Sequence, residues 1–418
     1  MRSGEITAVG SLTSGAFSSP GRLARDVHEA VAARVFGTLG RLGAPTQLVH
    51  DGVSRAAYRA VDAGLRAPLA GAAAALARRA GNEGPALTDS PAGALALGAL
   101  NGAVGDALAC NRRELALPLE LRRHGRPVPT NRADLARVYS DATTKLAVFV
   151  HGLCETEQAW RPLAIGADAP RRSYGSMLRE EHGYTPLYVR YNSGLHISDN
   201  GRRLSELLDR VVGEWPIEVE EIALIGHSMG GLVARSACHY GEGEGGSWTQ
   251  LVRHVFCLGT PHLGAPLEKT ANVAGWALGR LPETRPLAAL VNGRSAGIKD
   301  LRFGSCVEEE WCECDPDELL RDRCREVPFL HHAAYYFIGA TVTSTPEHPL
   351  GYMVGDLLVR FPSSAGNGRR RRIPFEVDNG RHLGGLNHFQ LLSHPAVYAE
   401  LRRWLTGTPA SVDAVPAT

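Results

Sequence analysis

Short and nearly continuous apolar runs, rich in β-branched and aromatic residues, recur through the middle and C-terminal parts of the chain. They lie at residues 145–150, 185–191, 221–225, 252–258 and 335–338. Such runs are typical of strands that are buried on both faces of a sheet. Segments with Leu and Val at helical spacing, at 200–215 and 231–240, separate some of them. This alternation predicts an α/β fold in which helices flank a mostly parallel central sheet.

Residues 1–110 have a different pattern, in which Ala and Leu dominate and apolar residues recur at helical spacing. We expect a helical N-terminal region here, followed by an α/β domain over 111–407 that opens with a short edge hairpin. Between the fourth and fifth apolar runs, residues 263–330 carry few strand signals and predict an inserted cap. The last residues, 408–418, are rich in Pro, Ala, Ser and Thr and predict a flexible tail.

The composition describes a chain that can bury a large core and that has almost no overall charge. It has 418 residues, of which 44% are hydrophobic and 21% charged, and its formal net charge is +1. Proteins that bind a phosphate backbone usually carry a broad basic surface, and this balance of charges does not supply one. We therefore expect no nucleic-acid partner.

Targeting features are weak in this sequence. Residues 1–20 lack a basic start followed by a continuous apolar run, so we expect no secretory signal. The apolar stretch 92–110 contains Asn101 and Asp106, and we expect no transmembrane helix there. Together these patterns predict a cytoplasmic protein.

Eight cysteines are spread along the chain, and four of them fall close together within the expected cap. These four are Cys306, Cys312, Cys314 and Cys324. Their spacing differs from the paired pattern of structural zinc sites, and a chain of this length does not need disulfides to fold. Free thiols are favoured over a zinc site or two cross-links, and we expect no metal.

The strongest chemical signal is the segment 226–230, Gly-His-Ser-Met-Gly, which stands between a predicted strand and a predicted helix. In that context a G-x-S-x-G motif places a serine hydroxyl on a tight turn above the edge of a sheet. The N-terminus of the following helix points its free N–H groups toward the same place. Ser228 is therefore the candidate nucleophile, and a Gly-Ser turn without a catalytic role is the alternative.

A nucleophilic serine requires hydrogen-bond donors for the negatively charged oxygen of its tetrahedral intermediate. One donor is expected from the residue that follows the nucleophile, here Met229, and another from the loop after an earlier strand. The apolar run at 145–150 ends in His151 and Gly152, and a turn there leaves the Leu153 amide free to point inward. Leu153 and Met229 form the predicted oxyanion hole.

The remaining partners of a serine nucleophile should follow in the order acid and then histidine, each after a late strand. Asp356 follows the fifth apolar run, and His388 precedes the last predicted helix. They are the preferred pair, with His388 as the base and Asp356 as the residue that orients its ring. Asp378 and Glu376 are alternatives for the acid. His394 is the alternative histidine, although its position before a proline suits the start of a helix.

Five motifs in this order resemble those of bacterial lipases and esterases of the α/β-hydrolase superfamily. They are 149–153 (Phe-Val-His-Gly-Leu), 226–231 (Gly-His-Ser-Met-Gly-Gly), 259–264 (Gly-Thr-Pro-His-Leu-Gly), 355–359 (Gly-Asp-Leu-Leu-Val) and 387–388 (Asn-His). The Gly-Thr-Pro-His stretch is similar to the lipase-like group that includes GPI-inositol deacylases and relatives of lecithin–cholesterol acyltransferase. The resemblance spans about residues 140–407 and implies an α/β-hydrolase fold with a catalytic triad. In the acid motif, Leu357 stands where lipases often have glycine.

The resemblance implies a serine hydrolase that cleaves carboxylic esters through an acyl-enzyme, without a cofactor. Its expected substrate is a small-molecule acyl ester or a lipid, with an acyl chain of moderate or long length, and peripheral contact with a membrane is an open alternative. Acyl transfer, thioester cleavage and amide cleavage use the same triad, and a non-catalytic binding module of this fold is an alternative of another class. His151, His227 and His262 are candidate pocket residues, although His262 suits a turn that fixes the loop equally well. The sequence makes no prediction of oligomeric state.

Overall fold

An eight-stranded sheet forms the centre of the computed structural model, which describes residues 1–39, 44–80, 86–161, 172–369 and 371–407. The strands are β1 (Glu120–Arg123), β2 (Arg126–Val128), β3 (Lys145–Val150), β4 (Tyr184–Arg190), β5 (Glu221–His227), β6 (Val252–Leu258), β7 (Ala334–Thr341) and β8 (Gly380–Gly384). Their order across the sheet is β2-β1-β4-β3-β5-β6-β7-β8. The strands from β3 to β8 are parallel, whereas β1 runs antiparallel to both β2 and β4. The predicted, mostly parallel sheet is thus confirmed.

Helices lie before the sheet in the chain, between its strands and after it. They are α1 (Ser3–Leu39), α2 (Ala44–Ala80), α3 (Pro91–Asn111), α4 (Arg132–Val138), α5 (Tyr174–His182), α6 (Ile197–Glu214), α7 (Met229–Gly243), α8 (Pro266–Leu278), α9 (Arg285–Asn292), α10 (Ala296–Asp300), α11 (Pro349–Val354), α12 (Phe361–Ser364) and α13 (Pro395–Leu405). Helices α6 and α7 cover one face of the sheet, and α5 and α13 cover the other.

The continuous apolar run of β3 follows from its central position in the sheet. Leu146 and Val148 belong to the core cluster that also contains residues of α6 and α7. Ala147 and Phe149, which alternate with them, belong to the cluster on the opposite face together with residues of α5 and α13. Because both faces of β3 are buried, polar residues do not alternate with apolar ones, as is typical of a parallel sheet covered by helices.

Within the described part of residues 1–111, helices α1, α2 and α3 precede the sheet domain. Helices α1 and α2 pack against each other, and Arg34 in α1 forms a 2.7 Å salt bridge with Glu283, between α8 and α9. Among the described residues, α3 is long and apolar enough to cross a membrane by length and composition, with 44% of that stretch buried inside the protein. In this structure α3 packs against the sheet domain, and the buried Asn101 amide bonds the backbone at Leu115 and Leu117.

Helices α8, α9 and α10 belong to the insertion between β6 and β7, which the sequence predicts as a cap over 263–330. All eight cysteines, including the four in this insertion, are free thiols. Within the described ranges, no group of three or more His, Cys, Asp or Glu side chains is arranged to hold a metal ion. The tail predicted at 408–418 lies outside the described residues.

Candidate active site

Ser228 occupies the turn between β5 and α7. Its backbone has φ 52° and ψ −123°, a conformation that costs energy for any residue other than glycine. The Ser228 N–H donates a hydrogen bond of 2.8 Å to the Leu258 carbonyl at the end of β6, which fixes the turn against the neighbouring strand. A Cβ atom at Gly226 or Gly230 would collide with the backbone of the turn or of β3, so both positions require glycine. The sequence therefore builds a tight and strained turn around one serine.

Asp356 and His388 form a buried pair near this turn. The Asp356 Oδ2 atom lies 2.7 Å from His388 Nδ1, and both residues are almost fully buried. Asp356 Oδ1 accepts hydrogen bonds from the backbone N–H groups of Leu358 and Val359, at 3.0 and 2.8 Å. The backbone N–H of His388 also donates a hydrogen bond of 2.9 Å to the backbone carbonyl of Asp356. These contacts hold the ring with Nδ1 on the carboxylate, which leaves Nε2 for other chemistry.

The second ring nitrogen of His388 is unused within the protein. In the part of the chain that the structure describes, Nε2 is buried and has no hydrogen-bond partner. The ring packs against Gly259 at the end of β6, where an added Cβ would lie 3.1 Å from Cε1. His388 and Ser228 both line one cavity, so the free nitrogen and the serine hydroxyl belong to the same site.

The turn after β3 reaches the serine from the other side. An added Cβ at Gly152 would lie 3.1 Å from the Ser228 Cβ, so the backbone of this turn packs directly against the serine. Leu153 follows in the turn and lines the cavity. Met229 is buried and is the first residue of α7, where backbone N–H groups lack partners within the helix. The structure thus brings both predicted oxyanion residues to the immediate surroundings of Ser228.

The cavity has a volume of about 370 Å³ and a largely apolar wall. Its lining residues are Leu153, Cys154, Glu155, Ser228, Pro261, Ala265, Leu267, Glu268, Ala271, Arg294, Ile298, Leu301, Leu358, Val359, His388 and Phe389. The carboxylate of Glu268 and the guanidinium of Arg294 bind each other at 2.6 and 2.7 Å. These charges are therefore satisfied by each other, and the space that remains suits an apolar group.

The structure does not place the three predicted pocket histidines in the lining of this cavity. His151 and His227 are fully buried behind it, in contact with backbone and with Glu155. His262 is also fully buried, and its Nδ1 lies 3.1 Å from the Arg235 guanidinium. Burial and the positive charges of nearby arginines hold the pKa of His262 well below its usual value. This neutral, enclosed ring packs within the loop that follows β6 and does not line the cavity.

The residues that the sequence offers as alternatives to Asp356 and His388 make other contacts. The carbonyl of Asp378 accepts a bond from Trp404, and the Glu376 carboxylate contacts Asn379. His394 caps α13, where its Nδ1 accepts a hydrogen bond of 3.2 Å from the Ala396 N–H. Asp356 is the carboxylate that contacts the His388 ring.

Sequence reasoning missed Glu155, which lies at the centre of the site. Its Oε2 accepts a hydrogen bond of 2.7 Å from the Gly152 N–H. The same carboxylate contacts His227 Nδ1 at 3.0 Å, and His227 Nε2 lies 3.1 Å from the His388 carbonyl. An acidic residue in the turn that follows a buried strand is the one signal that could have drawn attention to it.

Residues 142–276 match the family model described as "PGAP1-like alpha/beta domain". Lipase BlEst2 of Bacillus licheniformis in its mature form is 19% identical, with coverage of 63% of this chain and 92% of that one and a TM-score of 0.40. Its propeptide form is 18% identical, with coverage of 72% and 55% and a TM-score of 0.42. Esterase RhEst1 from Rhodococcus sp. ECU1013 is 17% identical, with coverage of 64% and 93% and a TM-score of 0.33. No curated protein matches the chain.

Proposed function

We propose that this chain, an α/β-hydrolase in which residues 142–276 form a PGAP1-like alpha/beta domain, is a serine carboxylester hydrolase that acts through an acyl-enzyme. The family match and the lipase-like motifs support ester hydrolysis in general. The observation that carries the finer proposal is the buried Asp356–His388 pair, at 2.7 Å, beside the apolar cavity that Ser228 also lines.

In the proposed first step, Ser228 Oγ attacks the ester carbonyl carbon while His388 Nε2 takes its proton. The negative charge moves to the carbonyl oxygen, which the Leu153 and Met229 N–H groups bind. Asp356 keeps the His388 ring in the tautomer with hydrogen on Nδ1 and stabilises the imidazolium once it forms. The intermediate then expels the alcohol, which takes the proton from His388.

In the second step, His388 removes a proton from water, and the resulting nucleophile attacks the acyl-enzyme carbonyl. The intermediate collapses with Ser228 Oγ as the leaving group, and His388 returns the proton to it. The products are the carboxylic acid and the free enzyme. The chain's own side chains supply every proton transfer in this scheme.

The cavity suggests the acyl part of the substrate. Its wall is mainly apolar. Of its charged residues, Glu268 and Arg294 bind each other, and Glu155 is bound by the Gly152 N–H and His227. An acyl chain gains free energy when it leaves water for such a wall, at about 25 cal/mol per Å² of apolar surface buried. We assign the cavity to the acyl chain of the ester, which favours chains of moderate or greater length over acetate.

The mouth of the cavity supports a contact with a lipid surface. Three apolar side chains near it are strongly exposed, namely Leu267 at 68%, Leu357 at 60% and Phe389 at 52%. Leu267 and Phe389 line the cavity itself, and Leu357 directly precedes a lining residue. Clustered exposed apolar groups of this kind commonly mark a binding surface. We assign this rim to aggregated lipid substrate.

Labelling with a fluorophosphonate tests whether Ser228 is nucleophilic. We expect stoichiometric labelling of the wild type and none of the Ser228→Ala variant. Ser247→Ala is a matched control, because Ser247 lies within the α7–β6 connection and contacts Asp209. A folded wild type that takes no label would instead favour a non-catalytic binding module.

A series of nitrophenyl esters of increasing acyl length, beside matching thioesters and amides, tests the substrate class. We expect kcat/KM for esters to rise with chain length beyond acetate. A preference for thioesters or amides would favour those alternatives, and transfer to an added alcohol in place of hydrolysis would favour an acyltransferase.

A further inference from the structure

The ring of His227 faces a hydrogen-bond acceptor at each of its nitrogens. Its Nδ1 lies 3.0 Å from Glu155 Oε1, and its Nε2 lies 3.1 Å from the carbonyl oxygen of His388. A backbone carbonyl can only accept, and an ionised carboxylate can only accept. With Glu155 ionised, both contacts are hydrogen bonds only if both nitrogens of His227 carry hydrogen, which makes the ring a cation.

His151, in the same site, has the opposite arrangement. Its Nδ1 lies 2.9 Å from the Gly152 carbonyl, which accepts. Its Nε2 accepts a hydrogen bond of 3.2 Å from the Tyr191 N–H. One donor and one acceptor satisfy a neutral imidazole, and burial lowers the pKa of this ring. His151 is therefore neutral and His227 charged, and their hydrogen-bond partners distinguish them.

We propose that Glu155 and His227 form a buried carboxylate–imidazolium pair. This pair positions the turn after β3, which carries Leu153, and His388 around Ser228. The inference rests on the proposed function, since it assigns roles in the same reaction. Both are positioning residues: Glu155 acts through Gly152 and His227, and His227 acts through the backbone of His388.

The pair links three segments that are distant in the sequence. Glu155 Oε2 accepts from the Gly152 N–H at 2.7 Å, which holds the turn that packs on Ser228. His227 directly precedes Ser228 at the end of β5. The His388 carbonyl receives the other end of the ring, so the loop that carries the base is tied to the turn that carries the nucleophile. Loss of the pair would therefore loosen the positions of all three segments relative to one another: the turn after β3, the turn that carries Ser228 and the loop that carries His388.

The charged groups around His227 favour this protonation state. Burial by itself lowers the pKa of the ring, but the Glu155 carboxylate and its hydrogen bond outweigh this, and the bond to the His388 carbonyl and the charge of Asp356 act in the same direction, so the pKa is raised. On the other side of the pair, burial raises the pKa of Glu155, but the charge and hydrogen bond of His227 and the Gly152 N–H outweigh this, so the pKa of Glu155 is lowered. The pKa of Glu155 is thus lowered and the pKa of His227 is raised, which favours the charged form of both residues.

The His227 ring also lies close to the proposed base. The rings of His227 and His388 have centroids only 4.7 Å apart, and the His227 ring lies between the Glu155 carboxylate and the backbone of His388. Loss of the pair would therefore disturb the packing around His388 as well as the hydrogen bond to its backbone carbonyl.

The protonation state can be read without measuring activity. In wild-type protein labelled with ¹⁵N-histidine, we expect the His227 ring to show two protonated nitrogens at pH 8. Its signals are assigned through its own backbone and checked by their absence in His227→Gln. A His227 ring that is neutral at pH 8, or that titrates with an ordinary histidine pKa, would overturn the proposal even if the enzyme is an esterase.

The positioning role is tested with Glu155→Gln, and Glu157→Gln is the matched control. Glu157 is also a buried carboxylate in the same segment, but it binds Arg190 through two contacts of 2.6 Å and does not contact His227. For Glu155→Gln we expect kcat to fall about 10- to 100-fold with KM changed less than about threefold.

For Glu157→Gln we expect a lower melting temperature with nearly wild-type kcat and KM per folded molecule. If both variants change stability alone, the pair is merely structural and the positioning role is wrong. If the wild type neither reacts with a fluorophosphonate nor hydrolyses esters, the proposed function fails, and the ¹⁵N measurement still decides whether the ion pair exists. If Glu155→Gln does not fold, that measurement on the wild type decides alone.

Discussion

Gly259 lies directly against the His388 ring. A Cβ atom at position 259 would be 3.1 Å from Cε1 and 3.2 Å from Nδ1 of His388. Gly259 also has φ +61°, a conformation that other residues rarely adopt. The end of β6 therefore packs directly on the proposed base, and a methyl group there would press on the His388 ring and on Leu391, 2.8 Å away, so both side chains would have to shift.

The variant Gly259→Ala should therefore lose activity as well as stability. We expect kcat to fall at least about tenfold, because a small displacement of the base is costly, and stability to fall by about 1–2 kcal/mol from the backbone strain. Gly183→Ala is the matched control, since Gly183 has φ +73° but open space around it. Kinetics on a nitrophenyl ester and thermal unfolding measure both effects. Equal activity in the two variants would show that the contact with His388 does not matter.

Asp356→Asn should lower kcat by about 10⁴-fold while the protein remains folded, because an amide at this position favours the wrong His388 tautomer. Asp378→Asn is the control, because Asp378 contacts Trp404 through its backbone carbonyl, which the substitution keeps. This variant should retain nearly full activity. The measurements are kcat and the near-ultraviolet circular dichroism spectrum. Near-normal activity of Asp356→Asn would transfer the role to Asp378 or Glu376.

Much of the framework around Ser228 could be predicted from the sequence, because it depends on local patterns. The apolar run of β5 and the glycines at 226 and 230 specify a strand, a tight turn and a helix without reference to the rest of the chain. The run of β3 specifies burial on both faces in the same way. The strand β8 could not be found, because Gly380–Gly384 is short, only partly buried and contains Arg381 and His382.

The role of Glu155 could not be predicted, because it depends on contacts between distant segments. A glutamate after a turn is usually solvated, and nothing nearby in the sequence distinguishes it from Glu157. Only the packing of β5 beside the turn after β3 brings His227 within 3.0 Å of its carboxylate. The histidines at 151 and 262 show the same limit, since the sequence revealed that they lie near strand ends but not that they are buried behind the cavity.

The length of the accepted acyl chain should depend on Ala271, which lines the cavity from α8. Ala271→Phe fills part of the roughly 370 Å³ and should lower kcat/KM for long-chain esters about tenfold or more, with little effect on acetate. Val273→Phe is the control, because Val273 lies on the same helix, is 40% exposed and does not line the cavity. An equal loss on short and long esters would place the acyl chain elsewhere.

The contact between His196 and Asp300 should make the attachment of the cap sensitive to pH. Burial lowers the pKa of His196, but the 3.0 Å bond to the Asp300 carboxylate in α10 and its charge outweigh this and raise it. A histidine whose pKa is raised in the folded state contributes stability that is complete below its unfolded pKa of about 6.5. That contribution is lost as the pH rises through the folded pKa.

We therefore expect the melting temperature of the wild type to exceed that of His196→Gln most at about pH 6, with the difference shrinking as the pH rises toward 9. His331→Gln, which replaces an exposed histidine, should show no such trend. Thermal unfolding followed across this pH range gives both curves. A difference that grows with pH would contradict the sign of this linkage.

Leu357 presents an apolar side chain to solvent at an energetic cost. It is 60% exposed and has φ +90°, a backbone conformation that glycine would adopt without strain. If the rim of the cavity contacts lipid, Leu357→Gly should weaken binding to phospholipid vesicles while stability changes by less than about 1 kcal/mol, because relief of strain offsets the added chain entropy. Leu320→Gly is matched in residue type, in positive φ (+43°) and in exposure (43%), but Leu320, unlike Leu357, is not adjacent in sequence to a residue that lines the cavity. Sedimentation with vesicles measures the binding, and an equal loss in both variants, or in neither, would remove the rim around Leu357 as a lipid-binding surface.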